Sequence, residues 1–227
     1  MNSNKADIDN ALIDVRKAYR LLYDYQRAAL DVASYISVQL GFTPYWGGVP
    51  RFSDCSPRSE KGSLDCWAWD WLNLIFYEFR FGKCIGENEE LRFSILLFSD
   101  TGYFISDTLN GELIEQKKDV SSFAGVERSA TMIGFLLYKS SIAERKNMDD
   151  AKAQFLLCNS IQSKDACRRF IENEGEVPTE LKDAGFLGKC YDFSCFCDAA
   201  SSDAIINELV NAAPSRGFQL ERIKKAV

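Results

Sequence analysis

Cys190, Cys195 and Cys197, joined by Cys158 or Cys167, could offer zinc four thiolates, the soft tetrahedral donor set of structural zinc sites. Alternation along a strand already turns Cys195 and Cys197 to one side, however, and a free cysteine is often simply a small buried apolar residue. None of the eight cysteines forms a Cys-x-x-Cys pair, so a zinc ribbon or thioredoxin-like redox site has no spacing to rest on. We therefore expect no metal and no other cofactor. Histidine is absent. That removes the side chain best suited to proton transfer near neutral pH, and with it Ser/His/Asp and Cys/His catalysis. Any catalysis would have to rest on carboxylates, Cys, Ser, Lys or Tyr.

Three carboxylate arrangements stand out. Asp107 faces Glu115 and Lys117 across the hairpin signal Asn110-Gly111. Two carboxylates and a lysine on neighbouring strands can hold Mg²⁺ and assist attack of water on a phosphodiester. Over this short stretch the spacing resembles that of the PD-(D/E)xK nucleases, which implies Mg²⁺-dependent cleavage of nucleic acid. A charged strand at a sheet edge explains Glu115 and Lys117 without chemistry. Asp100-Thr101-Gly102 is the triplet of aspartic proteases, whose mechanism needs two carboxylates sharing one proton; the chain has a single copy, placed where a tight turn is expected. Asp65 and Asp70, on a helix, diverge by about 140° and form no acid/base pair.

Residue types suited to recognition concentrate earlier in the chain. Phe42 to Lys61 contains three of the five prolines and the pair Gly47-Gly48, and reads as a loop. Tyr45, Trp46 and Phe52 beside Arg51 and Arg58 are the kinds of side chain that anchor interfaces. The alternative is that these aromatics fold back over the core. Immediately after comes Leu64 to Phe81, with three of the four tryptophans. Leu64, Trp67, Trp71 and Leu74 share one helical face behind a Ser63 cap, which leaves Trp69, Asp65 and Asp70 off the buried face. Either aspartate could pair with Arg51 or Arg58.

The elements that must position these residues follow from periodicity. Ile8, Leu12, Val15, Tyr19, Leu22, Gln26, Ala29, Ala33, Ile36 and Leu40 recur at alternating steps of four and three, a long amphipathic helix stopped by Gly41. Ala11, Ala18, Tyr25 and Val32 widen the stripe beyond a coiled-coil seam, so the helix should pack on a globular core or in a bundle rather than as a two-stranded rod. Strands are expected over Phe76–Phe81, Phe93–Phe98, Tyr103–Leu109, Glu112–Lys117 and Thr131–Lys139, and along the alternation Tyr191, Phe193, Cys195, Cys197, with Phe218 and Leu220 as a short edge. Helices are expected near Asp149–Cys158, Ser163–Glu174 and from a Ser201 or Ser202 cap onward. The fold class is therefore α+β: an antiparallel meander of five or six strands, packed by the long N-terminal helix, the Trp-rich helix and the C-terminal helices. We expect one domain over 1–227, with a weak boundary near 140–147.

A formal net charge of −6 disfavours phosphate backbones and anionic lipid as partners. With neither a signal-peptide core nor an apolar run of membrane-spanning length, the chain is expected in the cytoplasm with reduced thiols. These observations point to recognition of another protein, as an inhibitor, immunity-type or adaptor protein. The alternative is a His-free enzyme that uses carboxylates or a thiol, the nuclease among them.

Overall fold

The structure, a computed structural model, describes residues 5–43, 45–51, 75–104, 123–141, 164–179, 182 and 185–223. The described residues form a five-stranded antiparallel sheet and three α-helices, an α+β fold. Helix α1 (Lys5–Gln39) leads into strands β1 (Tyr45–Arg51), β2 (Phe76–Cys84), β3 (Glu89–Phe98) and β4 (Met132–Ser141). Helix α2 (Lys164–Glu172), strand β5 (Leu187–Asp192) and helix α3 (Ala199–Ala212) complete it. Strand order in space follows strand order in sequence, β1-β2-β3-β4-β5.

Both faces of the sheet are covered, and this is why β3 and β4 carry apolar residues at consecutive positions. On the first face Phe81, Phe93, Ile95, Ile133 and Phe135 pack with Ala29, Ala33 and Ile36 of α1 and with Ile205, Ile206 and Leu209 of α3. Phe93 is the hub, with ring centroids 4.8 Å from Phe42, 6.1 Å from Phe81 and 5.9 Å from Phe135. On the second face Phe76, Leu96, Phe98, Leu136 and Tyr138 pack with Cys167 and Phe170 of α2. Gly134 and Gly188 leave the trough that Phe170 fills, since a Cβ on either would stand about 3 Å from its ring.

The long helix ends as the sequence requires. Gly41 takes a left-handed conformation, φ +70°. The Phe42 amide donates to Ser37 O at 2.8 Å and the Gly41 amide to Val38 O at 3.1 Å, the paired bonds of a Schellman stop. Lys83 Nζ donates to Leu40 O at 3.0 Å while lying 4.7 Å from the Phe42 ring centre, so a cation sits at the negative end of the helix.

Several expectations need correction. Phe42 to Lys61 is not loop throughout, because Tyr45–Arg51 forms β1; an edge strand tolerates both the proline and the glycines that read as breakers. The turn expected at Asp100-Thr101-Gly102 is present, with the Asp100 carboxylate accepting from the Gly102 amide at 2.8 Å. It is a 3₁₀ helix, however, that takes in Tyr103, the start of the expected strand; the rest of that strand, 105–109, lies outside the described residues. The last strand begins and ends earlier than the alternation suggests. Asp192 Oδ1 accepts from the Ser194 amide at 2.8 Å, and Phe193–Phe196 coils into a 3₁₀ helix. Helix α3 is capped by Asp198, not by a serine, through the Ser201 amide at 2.7 Å. Phe218 and Leu220 are buried in the first-face core without forming a strand. Finally, only the second half of the α1 stripe packs on the core; Ile8, Leu12, Val15 and Tyr19 are exposed. The expected Trp-rich helix and the helix near Asp149–Cys158 lie outside the described residues, as do Asp107, Glu115 and Lys117.

The C-terminal tail ties α1 to α3. The Ile223 amide donates to Gln39 O at 2.8 Å, and Arg222 Nη2 reaches Asp203 Oδ1 at 2.5 Å, where the Tyr35 hydroxyl also donates at 2.6 Å. These two donors, Arg222 first, hold the Asp203 carboxyl below its ordinary value of 3.8. A depressed carboxylate contributes stability above its unfolded pKa and loses it as pH falls through the folded one. Asp203→Asn should therefore lower the melting temperature at neutral pH, with the deficit shrinking below pH 3.8. A deficit of equal size in acid, read from melting curves across pH, would refute the linkage.

Candidate functional site

A cleft opens between α1 and the β1–β2 end of the sheet's first face. It encloses about 640 Å³, with Gln26, Leu30, Ser34 and Val38 of α1 on one wall and Tyr45, Tyr77 and Phe79 on the other. Leu97 and Ser99 form part of its floor. The helix wall arises because residues at steps of three and four share a face. Leu30 and Val38 lie off the core stripe and are exposed, while Gln26 is the polar residue that interrupts it.

The strand wall depends on two irregularities of β1. Its pairing with β2 shifts register between Tyr45 and Gly47, leaving Trp46 as the extra residue of a bulge. Tyr45 consequently points to the first face, 5.4 Å from Phe81 and 6.4 Å from Phe79 between ring centres. Trp46 lies across Gly82, where a Cβ would stand 2.1 Å from the indole. Gly48 plays the same part beneath the Tyr45 hydroxyl and the Tyr77 ring, each 2.4 Å from its notional Cβ. Tyr45 remains 50% exposed, yet desolvation and the neighbouring Tyr77 hydroxyl push its phenol up to about 12. It stays neutral at any physiological pH and can donate a hydrogen bond at the cleft mouth.

The second face carries a polar lattice instead. Glu78 and Glu90 are buried, and each carboxylate is engaged by a guanidinium two residues along its own strand: Arg80 at 3.0 Å and Arg92 at 2.7 Å. The Ser94 hydroxyl, one strand over, donates to Glu78 Oε1 at 2.9 Å. Burial works against the charge on Arg92, and Tyr138 with Glu90 outweighs it, so its pKa is raised. The geometry favours anchoring over proton transfer. A one-residue slip of β2 against β3 would separate Glu78 from Ser94 and turn Tyr77 and Phe79 to the wrong face, so these groups fix register.

Among the described residues the cysteines do not gather into one group, and Cys158 lies outside them. Cys167 and Cys190 are buried on the second face, and burial pushes the Cys190 thiol up to about 12. Cys195, on the 3₁₀ helix, and Cys197 are exposed. Among the described residues no three ligand-type side chains form a group able to hold a metal ion. Asp100-Thr101-Gly102 is a packed turn in which Thr101 Oγ1 accepts from the Ala130 amide at 2.8 Å.

Of the residues expected to bind, Tyr45 lines the cleft and Trp46, its neighbour in sequence, lies on the opposite face. Arg51 ends β1 opposite Phe76, and its side chain lies outside what the structure describes. Phe52, Arg58, Asp65, Trp69 and Asp70 lie outside the described residues. Sequence reasoning missed Leu30, Ser34, Val38, Tyr77 and Ser99. The usable signal was an apolar residue off the stripe at position 30 and again at 38.

Comparison with known proteins places the chain. A family model described as PM0109 matches residues 5–217. The chain belongs to the PM0109 family. That match takes in α1, all five strands and α3, so the cleft and the lattice both fall within the part that defines the family. No curated protein and no solved structure matches the chain. Among the described residues of this PM0109 member, no helix is long and apolar enough to cross a membrane.

Proposed function

We propose that this protein acts by binding another protein, taking a bulky apolar side chain of its partner into the cleft between α1 and β1–β2. The observation that carries the reading is an open, largely apolar cleft with a half-exposed tyrosine at its mouth, in the first residue of a strand at the sheet's described edge. Aromatic and aliphatic anchors seated in such clefts dominate many interfaces, and a tyrosine at the rim adds a directional hydrogen bond. The net charge of −6 suits a basic partner. An inhibitor, immunity-type or adaptor role fits this mode of action.

A second reading, an enzyme or carrier that holds a small apolar molecule in the same cleft, draws on the volume, which falls within the range of ligand pockets. A photo-crosslinking amino acid at position 30 separates the two. In native lysate it should capture one basic protein, and Ser34→Arg, which fills the cleft with a charged side chain, should abolish capture while Ser215→Arg on the exposed surface does not. Failure to capture a protein, with a small molecule retained in native mass spectra and expelled by Ser34→Arg, would reject protein binding in favour of the second reading.

A further inference from the structure

The projecting half of α1 is an apolar surface without a partner inside the described fold. Ile8, Leu12, Val15, Tyr19 and Leu22 continue the four-and-three spacing of the packed half, yet Leu12 is 46% and Tyr19 62% exposed. A stripe of this length and regularity is uncommon on a monomer surface and marks an interaction site. We propose that residues 5–22 pair with the same stretch of a second copy of this chain, as an antiparallel two-stranded coil whose two-fold axis passes between Leu12 and Val15.

Three observations select this occupant and this direction. The first is the spacing itself: an average step of 3.5 residues keeps one seam facing a neighbouring helix. In the antiparallel register Leu12 lies opposite Val15 of the second copy and Ile8 opposite Tyr19, giving four apolar layers.

The second is what flanks the seam. In the same register Asp9 falls beside Arg16 of the second copy on one side, and Ala11 beside Ala18 on the other. The two-fold axis repeats both pairs. Opposite charges meet on one flank, and alanines on the other let the helices approach closely. This departs from the expectation of core or bundle packing, because Ile8, Leu12, Val15 and Tyr19 are exposed while the core contacts of α1 begin at Ala29. A parallel pairing would set Ala11 against Arg16 and Ala18 against Tyr23, with no charge complementarity.

The third is room. From Ala29 onward the seam face is occupied by the chain's own sheet. A parallel partner helix would have to continue along that face and would run into the core. In an antiparallel one the paired stretch 5–22 sets its own Lys5 opposite Leu22, short of the residues from Ala29 on that pack against the sheet. The overlap of 5–22 is about 27 Å long, the length of α1 that stands clear.

The test uses the full chain and its mass in solution, by sedimentation equilibrium over the micromolar range. The expected particle has twice the 25.7 kDa chain mass. Leu12→Lys combined with Val15→Lys should give the monomer with an unchanged circular-dichroism spectrum, because both positions are already exposed in the folded chain. Asp9→Arg alone and Arg16→Asp alone should each weaken association roughly tenfold, and the two together should restore it. A monomer at every concentration overturns the proposal, as does a dimer indifferent to the lysine substitutions; the stripe would then belong to another protein or to another segment of this chain. A dimer that the double charge exchange fails to restore overturns the antiparallel register.

Discussion

Gly175→Ala is expected to destabilise the fold by more than about 3 kcal/mol, the range in which strain adds to a forced backbone shift. Helix α2 ends in a turn where Glu174 and Gly175 both adopt positive φ, +52° and +85°. The Gly175 amide donates back to Phe170 O at 2.7 Å, and Glu174 O receives the Cys190 amide of β5 at 2.8 Å. A Cβ on Gly175 would stand 2.1 Å from Lys189 C and 2.3 Å from Cys190 N. Both are backbone atoms of the sheet, which cannot swing aside as the tip of a side chain can. From the other side, a Cβ on Gly188 would meet Gly175 O at 2.2 Å, so the turn and the strand touch through two glycines. The comparison is Gly217→Ala, at a similar φ of +77° with nothing within 4 Å of its notional Cβ. That change should cost only the left-handed penalty, about 1 kcal/mol. Equal losses at the two sites in urea unfolding would show that the contact with β5 contributes nothing.

Removing the Glu90 carboxylate should cost about 3 to 5 kcal/mol, as expected when one partner of a buried ion pair is deleted. Glu90 is 1% exposed and accepts from Arg92 Nε at 2.7 Å, with the guanidinium itself 6.0 Å from the Tyr138 ring centre. Glu90→Ala therefore leaves a largely desolvated cation facing a hole. Glu90→Gln, which keeps an acceptor and the volume, should cost less. Glu90→Leu with Arg92→Leu should recover most of the loss, because an apolar pair avoids desolvating two charges. The scale is set by Lys17 and Asp14, a pair 3.0 Å apart whose side chains are 73% and 76% exposed. Lys17→Ala should change stability by at most a few tenths of a kcal/mol. Denaturation midpoints for Glu90→Ala no lower than for Lys17→Ala would mean that the buried pair is not part of what holds β3 to β4.

How far the fold could be read from sequence depended on whether local pattern or local hydrogen bonding had the final word. The α1 stripe and its Gly41 stop, and the two-sided strands β3 and β4, were legible because burial alone dictates their composition. Errors at the ends of elements share one cause. Asp100, Asp192 and Asp198 each turn a carboxylate onto an amide two or three residues ahead, at 2.8, 2.8 and 2.7 Å. Such short-range capture competes with the sheet ladder and wins after β3 at Asp100 and after β5 at Asp192, while at Asp198 it sets the start of α3. The alternation Tyr191, Phe193, Cys195, Cys197 persists in the sequence, but Asp192 has already bent the backbone. At β1, Gly47, Gly48 and Pro50 signalled a break, whereas Gly48 leaves space under aromatic rings and the bulge at Trp46 re-aims its neighbours.

The cleft was legible only by half. Tyr45 stood out by type, next to glycines that could not bury it. Its opposite wall is made of ordinary helix residues, Leu30, Ser34 and Val38, which become a wall only when β1 and β2 are laid across α1. That juxtaposition is tertiary and has no sequence period. Trp46 shows the converse: adjacency in sequence suggested a shared site with Tyr45, and once the segment is a strand, neighbouring side chains turn to opposite faces of the sheet.

The order β1-β2-β3-β4-β5 also governs how the chain can vary. Because each strand lies beside its predecessor, no pairing in the described sheet requires two non-consecutive strands to be neighbours. Residues added between two consecutive strands alter no ladder partner, and in general each doubling of a flexible loop adds only about 0.6 kcal/mol of closure entropy. The ladder thus depends on the strands themselves and on no particular length of chain between consecutive ones.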